Sequence, residues 1–263
     1  MWIVSSEDRV VQTEFEINSQ IFQLVTENGN KADVYESKEF GKVYLFNNGD
    51  LLLESLSFIY AEALAHISVC SHYNPKNILL VGSPTSLVAL ELSKYKHADI
   101  TFIPLDGELL LNMDRFGIGK NICERIKNIK IVANIDSSEK FDVIIYDGKY
   151  DSRCRELVKN HLQKDGLALF GLYDLVMDRE KNTEIFKEIY NDAIIIAPLY
   201  LHYNPAYPKS YCILSKIYHP VADMNVQRSE MLEGVSYYSR YIHQSCFEIP
   251  KFVLQKYSSL LKQ

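Results

Sequence analysis

Long hydrophobic runs, basic runs and paired cysteines are features that this 263-residue sequence lacks. No run approaches the roughly 18 apolar residues that a membrane span requires, and Met1-Trp2-Ile3 opens no signal peptide pattern. The five cysteines are scattered and none is spaced as C-x-x-C, so the sequence suggests neither a disulfide framework nor a zinc site. We therefore expect a cytoplasmic protein with no metal ion.

A strong charge of one sign is also missing. The sequence has 28 Lys and Arg against 34 Asp and Glu, a net charge of −6, and it has no basic cluster. Such a surface does not attract phosphate backbones or anionic lipids. We expect no nucleic-acid or membrane partner, and the acidic balance leaves room for a cationic small substrate.

The composition is that of a globular α/β protein, with 47% hydrophobic and 24% charged residues. Four short strand patterns lie between Gln12 and Asn48, and turn signals such as Asn47-Asn48-Gly49-Asp50 separate them. These patterns predict a small antiparallel β-domain over residues 1–54. A larger domain over 55–263 is predicted to follow.

Strand and helix patterns alternate through the larger part of the chain. The spacing predicts a helix over Leu56 to Val69, with Glu62 on a solvated face, and two helices in the tail after Met224. This alternation predicts a mostly parallel, Rossmann-like sheet of the methyltransferase type, with helices on both faces and an antiparallel last pair.

The stretch NILLVGSPTSLVALELSKY, from Asn77 to Tyr95, predicts a buried strand, a tight turn and a helix. Ligands of open α/β sheets bind outside the carboxyl ends of the strands, near such a turn. Nucleotide-binding turns usually carry several glycines, whereas this one has Gly82 alone. Asp106 and Asp147 end later strand patterns at the same edge; on base rates, an acid placed there is more often a helix cap.

Several stretches together resemble the polyamine aminopropyltransferases, the family of spermidine synthase. They are ESKEFGKVYLF, SFIYAEALAHISVCSHYNPKNILLVG, FDVIIYD, the Tyr207-Pro208 pair and SYYSRYIHQSCFEIP. The resemblance spans nearly the whole chain, and the glycine-poor turn is similar to that of a divergent bacterial branch. It implies a homodimer that moves an aminopropyl group from the co-substrate decarboxylated S-adenosylmethionine to putrescine, giving spermidine and methylthioadenosine, without a cofactor.

The resemblance also implies roles for individual residues. Asp147 matches the family's catalytic base. Tyr60 matches a tyrosine that orients the attacking amine, and Tyr207 matches a residue that contacts the polyamine. His66 falls where relatives have a histidine facing the donor site. Asp151 becomes a second amine-holding acid if the preceding loop, Gly148-Lys149-Tyr150, is one residue out of register with the family; otherwise the family's spacing places Tyr150 there. For the tyrosines and for His66, packing inside the core is the alternative interpretation.

Departures from the family pattern lie at the donor site, whose turn is predicted to include Gly82. Thr85 stands where the family has an aspartate that holds the aminopropyl ammonium. Pro104 replaces a ribose-binding glutamate, which leaves Asp106 as the nearby acid. Asn134 takes the place of an aspartate at the adenine amino group, where its carbonyl oxygen can still accept a hydrogen bond.

Two further family positions are apolar, because Leu51 and Leu172 replace a glutamine and an acid. A hydrogen bond to a charged group contributes about 1.5–3 kcal/mol, so the loss of two weakens donor binding by roughly a hundredfold. A non-catalytic homologue that binds a polyamine or a nucleoside is therefore the alternative function. A methyltransferase would require partners for the carboxylate of its donor, and the sequence offers no convincing one.

Overall fold

The computed structural model describes residues 2–5, 13–47, 49–203 and 208–262. Gln12 and Asn48, at the ends of the predicted strand region, lie outside these ranges, as does Tyr207. None of the described helices is long and apolar enough to cross a membrane.

The N-terminal part forms two antiparallel sheets. A two-stranded sheet pairs β1 (Trp2–Ser5) with β2 (Thr13–Glu16). A four-stranded meander follows in chain order, with strands β3 (Ser19–Val25), β4 (Lys31–Ser37), β5 (Gly41–Phe46) and β6 (Asp50–Leu53). The patterns predict β2 to β5. They miss β6 because its first residue, Asp50, was interpreted as part of a turn.

The central sheet has seven strands in the order β12-β13-β11-β10-β7-β8-β9. Their bounds are β7 Asn77–Val81, β8 Asp99–Ile103, β9 Ile129–Ile131, β10 Phe141–Lys149, β11 Leu162–Gly171, β12 Ile195–Leu201 and β13 Lys209–Ser215. Strand β13 runs antiparallel to β11 and β12, and the other pairs are parallel. The predicted Rossmann-like, methyltransferase-type sheet with an antiparallel last pair is confirmed.

Nine α-helices occur in the described ranges. They are α1 Ser57–Cys70, α2 Leu87–Leu92, α3 Gly107–Asn112, α4 Lys120–Glu124, α5 Ser152–His161, α6 Arg179–Ile189, α7 Val226–Glu230, α8 Arg240–Cys246 and α9 Lys251–Tyr257. The prediction of two tail helices is wrong, since the tail folds into three short ones.

Helix α1 is buried along its length, from Tyr60 to Cys70. The prediction that Glu62 is solvated is wrong, because its side chain is buried. Its carboxylate accepts hydrogen bonds from the backbone N–H groups of Ser236, Tyr237 and Tyr238, each at 2.8 Å. A buried carboxylate needs such donors. Glu62 therefore fixes the C-terminal tail to the central helix.

The N-terminal meander shares its core with the central sheet. Ala32, Val34, Tyr44 and Phe46 pack in one apolar cluster with residues of α1 and of the central strands. The opposite face of the meander packs against β1 and β2 in a separate cluster. The domain boundary at 54/55 stays a prediction, since the largest core extends across it.

Asp106 ties the meander to the central sheet. Its Oδ1 accepts the N–H groups of Glu108 at 2.8 Å and Leu109 at 3.1 Å, which caps α3. Its Oδ2 accepts from three side chains of the β3–β4 turn: Thr26 Oγ1 at 2.8 Å, Asn28 Nδ2 at 3.1 Å and Asn30 Nδ2 at 3.0 Å. Burial opposes ionisation, but these hydrogen bonds outweigh it and lower the pKa of Asp106 to about 2.

We predict that Asp106→Asn lowers the free energy of unfolding by about 2–3 kcal/mol at pH 7, as expected for a pKa that is roughly two units lower in the folded chain. This stabilisation is present above the unfolded pKa of about 4 and is lost as the pH falls towards 2. Urea unfolding followed by circular dichroism at pH 7 and pH 3 measures both effects.

The matched control is Glu108→Gln, whose carboxylate is exposed and accepts the N–H of Glu27 at 2.9 Å. Because an exposed hydrogen bond contributes little, this variant should change stability by less than about 1 kcal/mol. Equal losses in the two variants would contradict the role assigned to Asp106.

Candidate active site

A cavity of about 570 Å³ lies at the carboxyl ends of β7, β10 and β11, where the meander meets the central sheet. Its wall includes Phe46, Asp50, Leu51 and Leu52 from the meander, and Tyr60 from α1. Five predicted site residues line it: Tyr60, Gly82, Thr85, Asp147 and Asp151. Its position matches the edge at which the sequence predicts a ligand.

Asp147 enters the cavity from a bulge in β10. Tyr146 pairs with Phe170 of β11 and Lys149 pairs with Gly171, so Asp147 and Gly148 are extra residues on β10. Bulges at strand ends change the direction in which a side chain points. The bulge therefore positions Asp147 at the cavity rather than in the regular pleat.

Gly82 packs directly against the backbone of Asp147. It has φ +90°, and a Cβ at this position would lie 3.0 Å from the carbonyl oxygen of Asp147. The backbone conformation and the close contact both favour glycine. The single glycine of the turn thus has a steric role at the site.

Two hydroxyl groups hold the Asp147 carboxylate. Tyr60 Oη and Ser83 Oγ both donate hydrogen bonds to Oδ2 of Asp147. Burial raises the pKa of Asp147 to about 6, the two hydrogen bonds oppose this rise, and the charge of Asp50 adds to it. A carboxylate with this pKa is ionised near pH 7 and is more basic than an ordinary aspartate.

Aromatic side chains lie around the carboxylates of Asp147 and Asp50. Tyr203 lies edge-on to Tyr60 with 5.3 Å between ring centroids, and its hydroxyl lies 3.5 Å from that of Tyr211. Burial raises the pKa of Tyr211, and the charges of Asp147 and Asp50 add to this effect. We call Asp50, Tyr60, Asp147, Tyr203 and Tyr211 the acid–tyrosine cluster. Carboxylates beside aromatic faces form a suitable site for an amine cation.

Thr85 and Asp151 line the cavity in different ways. Thr85 is fully buried, and its hydroxyl has no hydrogen-bond partner within the described ranges. An orphaned hydroxyl in a cavity wall is available to a ligand. Asp151 has its oxygens engaged, since it accepts the Cys154 N–H at 2.8 Å as the cap of α5 and the Tyr146 hydroxyl at 2.9 Å.

His66 does not reach the cavity. Its side chain is fully buried, with Nδ1 2.9 Å from the Tyr95 hydroxyl and Nε2 3.0 Å from Glu91 Oε2. Burial lowers the pKa of His66, although the carboxylate of Glu91 opposes this shift. Both ring nitrogens are thus used inside the protein. The structure supports the alternative interpretation of His66 as a core histidine.

Asp106 and Asn134 also lie away from the cavity. Asp106 already accepts five hydrogen bonds as the link between the two sheets, so it does not replace the ribose-binding acid of the family. Asn134 is exposed beyond the end of β9. Tyr207 lies outside the described residues, and its predicted polyamine contact stays a prediction.

Sequence reasoning missed several residues of the site. Ser83 lies in the predicted turn and donates to Asp147, and Asp50 lies in the cavity wall at the start of the strand that the patterns miss. Three cationic side chains, Lys149, Arg153 and Lys209, also line the wall. Burial lowers the pKa of Lys209 to about 7. The lysine next to the Tyr207-Pro208 pair is the sequence signal that was available and not used.

Comparisons with known proteins point to one family. Residues 57–223 match the family model described as the spermine/spermidine synthase domain. The polyamine aminopropyltransferase of Helicobacter acinonychis is 24% identical over 257 residues, which is 95% of each chain. That of Bacillus cereus is 23% identical over 274 residues, covering 96% of this chain and 98% of its own.

Solved structures show the same fold. Spermidine synthase from Thermotoga maritima superposes with a TM-score of 0.86 at 20% identity, covering 99% of this chain and 95% of its own. A spermidine synthase in complex with the transition state analogue AdoDATO gives the same TM-score and identity, covering 98% and 95%.

The fold and the cavity define a protein with a Rossmann-like, methyltransferase-type sheet and a ligand site at the carboxyl ends of its strands. Because the family model covers well over half of its residues, the chain belongs to the spermine/spermidine synthase family, and it is an enzyme of the polyamine aminopropyltransferase type.

We predict that Asp147→Asn stabilises the folded protein by about 1–3 kcal/mol at pH 8. A carboxyl group whose folded pKa is raised from 3.8 to about 6 favours folding below pH 4 and loses that contribution as the pH rises through 6. Asparagine removes this cost. Thermal unfolding at pH 4 and pH 8 should show a difference only at the higher pH.

The control is Asp99→Asn, an exposed change at the first residue of β8, which lies at the opposite edge of the sheet. It should leave the stability within about 0.5 kcal/mol at both pH values. A loss of stability in Asp147→Asn at pH 8 would contradict the burial cost assigned to Asp147.

Proposed function

We propose that this enzyme transfers the aminopropyl group of decarboxylated S-adenosylmethionine to putrescine, giving spermidine and methylthioadenosine. The observation that carries the proposal is the position of Asp147, a basic carboxylate in the cavity wall held by Tyr60 and Ser83. The relatives named polyamine aminopropyltransferase support it over 95% and 98% of their own length.

The acid–tyrosine cluster suits a diamine acceptor. Putrescine amines have pKa values of roughly 10, so the acceptor arrives as a dication and one nitrogen must lose a proton before it attacks. Asp147 is the proposed base, and Tyr60 orients the amine. Asp50 carries a second negative charge close enough to raise the pKa of Asp147, and we assign it to holding the acceptor ammonium.

The reaction is a direct displacement at the carbon next to the sulfonium. The amine nitrogen gives its electron pair to that carbon, the carbon–sulfur bond breaks, and its electron pair goes to sulfur. The amine proton passes to Asp147, and the products are spermidine and a neutral thioether. Because the sulfonium is an activated leaving group, positioning of the two substrates and charge stabilisation are the main tasks of the protein.

The donor is proposed to bind along the turn after β7. The orphaned Thr85 hydroxyl and the wall beside Gly82 face this part of the cavity, and Leu51 and Leu172 contribute apolar surface. The two polar contacts predicted from Asp106 and Asn134 are missing here, since neither residue lines the cavity. Donor binding therefore depends on neutral contacts and is expected to be weaker than in relatives that use carboxylates.

The resemblance further implies a homodimer in the cytoplasm. All five cysteines are buried as free thiols, which suits a reducing compartment. Both points remain part of this proposal, and sedimentation of the purified protein tests the dimer.

We predict that the purified enzyme, given putrescine and decarboxylated S-adenosylmethionine, forms spermidine and methylthioadenosine in equal amounts, as measured by chromatography with mass detection. Asp147→Asn should lower kcat by roughly 10²–10⁴-fold, because a general base contributes about that much. It should still bind methylthioadenosine with an affinity close to that of the wild type.

Asp99→Asn again serves as the control and should keep the wild-type rate. Binding of both substrates without any product at high enzyme concentration would contradict the proposed reaction. Full activity in Asp147→Asn would contradict the role of Asp147 but not the reaction itself.

The pH dependence gives an independent test. Asp147 must be ionised to accept a proton, so kcat/KM should fall as the pH drops below about 6, the pKa of this group. In the complex the acceptor ammonium stabilises the ionised carboxylate, so the acidic limb of kcat should move to lower pH. Initial rates between pH 5 and 9 measure both profiles. If the residual activity of Asp147→Asn keeps the same acidic limb, a group other than Asp147 causes that limb.

A further inference from the structure

Three ionisable side chains meet at the amino-terminal edge of the central sheet, opposite the cavity. His72 follows α1, Asp142 is the second residue of β10, and Asp165 lies in the irregular start of β11. One ligand atom of each lies within 4.8 Å of the other two. We call these residues the edge cluster. They have no part in the proposed transfer reaction.

The histidine of this cluster has an unsatisfied nitrogen. The side chain of His72 is buried, with 2% of its surface exposed. Its Nε2 makes no hydrogen bond of good geometry in the described part of the chain, and the backbone of Asp165 is the polar group that acts on the ring. Its Nδ1 accepts a hydrogen bond from the Asn74 N–H at 3.2 Å. The Tyr218 ring packs edge-on against the imidazole, with 4.8 Å between ring centroids. A buried polar atom without a partner is costly unless a ligand satisfies it.

The surroundings hold the edge cluster in place. Asp142 Oδ2 accepts the backbone N–H groups of Lys76 at 2.7 Å and Asn77 at 2.9 Å, which orients this carboxylate through one of its two oxygens. The Arg228 guanidinium donates to the carbonyl of His72 at 2.7 Å, which fixes the turn. Asp142 and Asp165 are half-exposed, so an ion can reach them from solvent.

We propose that His72, Asp142 and Asp165 bind one divalent transition-metal ion of the Zn²⁺ type, with water in the remaining positions. Imidazole nitrogens and carboxylate oxygens are both ligands of such ions, and three protein ligands leave a position for water. The three ligand atoms converge from three separate segments of the chain, which is the geometry that a single ion needs.

Binding requires two local changes. Zinc–ligand distances of about 2.0–2.2 Å place tetrahedral ligands roughly 3.4 Å apart, so the two half-exposed carboxylates must move inward by about 1 Å. The ring proton must also move. Because Nδ1 accepts a hydrogen bond in the metal-free protein, Nε2 carries the proton; a metal on Nε2 transfers this proton to Nδ1 and breaks the bond to Asn74.

The ion would join three segments that are distant in the chain. It would hold the end of α1 against the starts of β10 and β11, at the edge of the sheet away from Asp147. We therefore expect an effect on stability. With free Zn²⁺ at 100 times its Kd, the equilibrium constant for unfolding should fall by about 100-fold.

The test uses the full chain without a histidine tag, after treatment with a chelator. Calorimetric titration with ZnCl₂ should give one ion per chain and a raised Tm, while Asp165→Asn and His72→Gln should each weaken binding by at least tenfold. His97→Gln and Asp99→Asn are the controls for exposed ligands of the same types, and they should bind like the wild type.

Nitrogen NMR of the His72 ring provides a second measurement. Saturation with Zn²⁺ should move the proton from Nε2 to Nδ1 and shift the amide signal of Asn74. Unchanged zinc affinity in Asp165→Asn would overturn the proposal, as would a His72 ring that keeps its proton on Nε2. If His72→Gln does not fold, Asp165→Asn and the ring spectrum still decide the question.

Discussion

Burial of helix α1 from Tyr60 to Cys70 is the constraint on which the rest of this structure depends. A helix surrounded by protein must satisfy the polar side chains that it carries, and the three large ones of α1 do so with different neighbours, while Ser68 donates to the Leu64 carbonyl within the helix. Tyr60 donates to Asp147 at the cavity, Glu62 accepts three N–H groups of the C-terminal tail, and His66 contacts Tyr95 and Glu91. The polar residues of this helix thus connect the active site, the tail and α2 through one rigid element.

The sequence predicted the central sheet well because strand and helix alternation is a local signal. It did not predict that α1 is buried on every face, since apolar residues at helical spacing do not show what covers the polar ones. The N-terminal strands were predicted except β1 and β6. Strand β6 begins at Asp50, directly after turn residues. Its antiparallel pairing with β5 is visible in the structure and not in the local residue pattern.

The candidate site was predicted in part, for a similar reason. Asp147, Tyr60 and Gly82 follow strands or lie on the helix that the resemblance identifies, and the structure brings them together. Asp106 also follows a strand, but three side chains from the β3–β4 turn engage its carboxylate, and no local pattern could show that. Asp50 was missed because its relation to Asp147 exists only once the meander has packed on the sheet.

The shared core of the meander and the central sheet has a consequence for how ligands enter. A hinge motion that swung the meander outward would expose Ala32, Val34, Tyr44 and Phe46 to water. Exposing apolar surface costs about 25 cal/mol per Å², so separating large, fully buried side chains would cost several kcal/mol, comparable to the stability of a whole domain. The two sheets therefore form a fixed frame around the cavity. Substrates and products must therefore enter and leave the cavity without separating the meander from the central sheet.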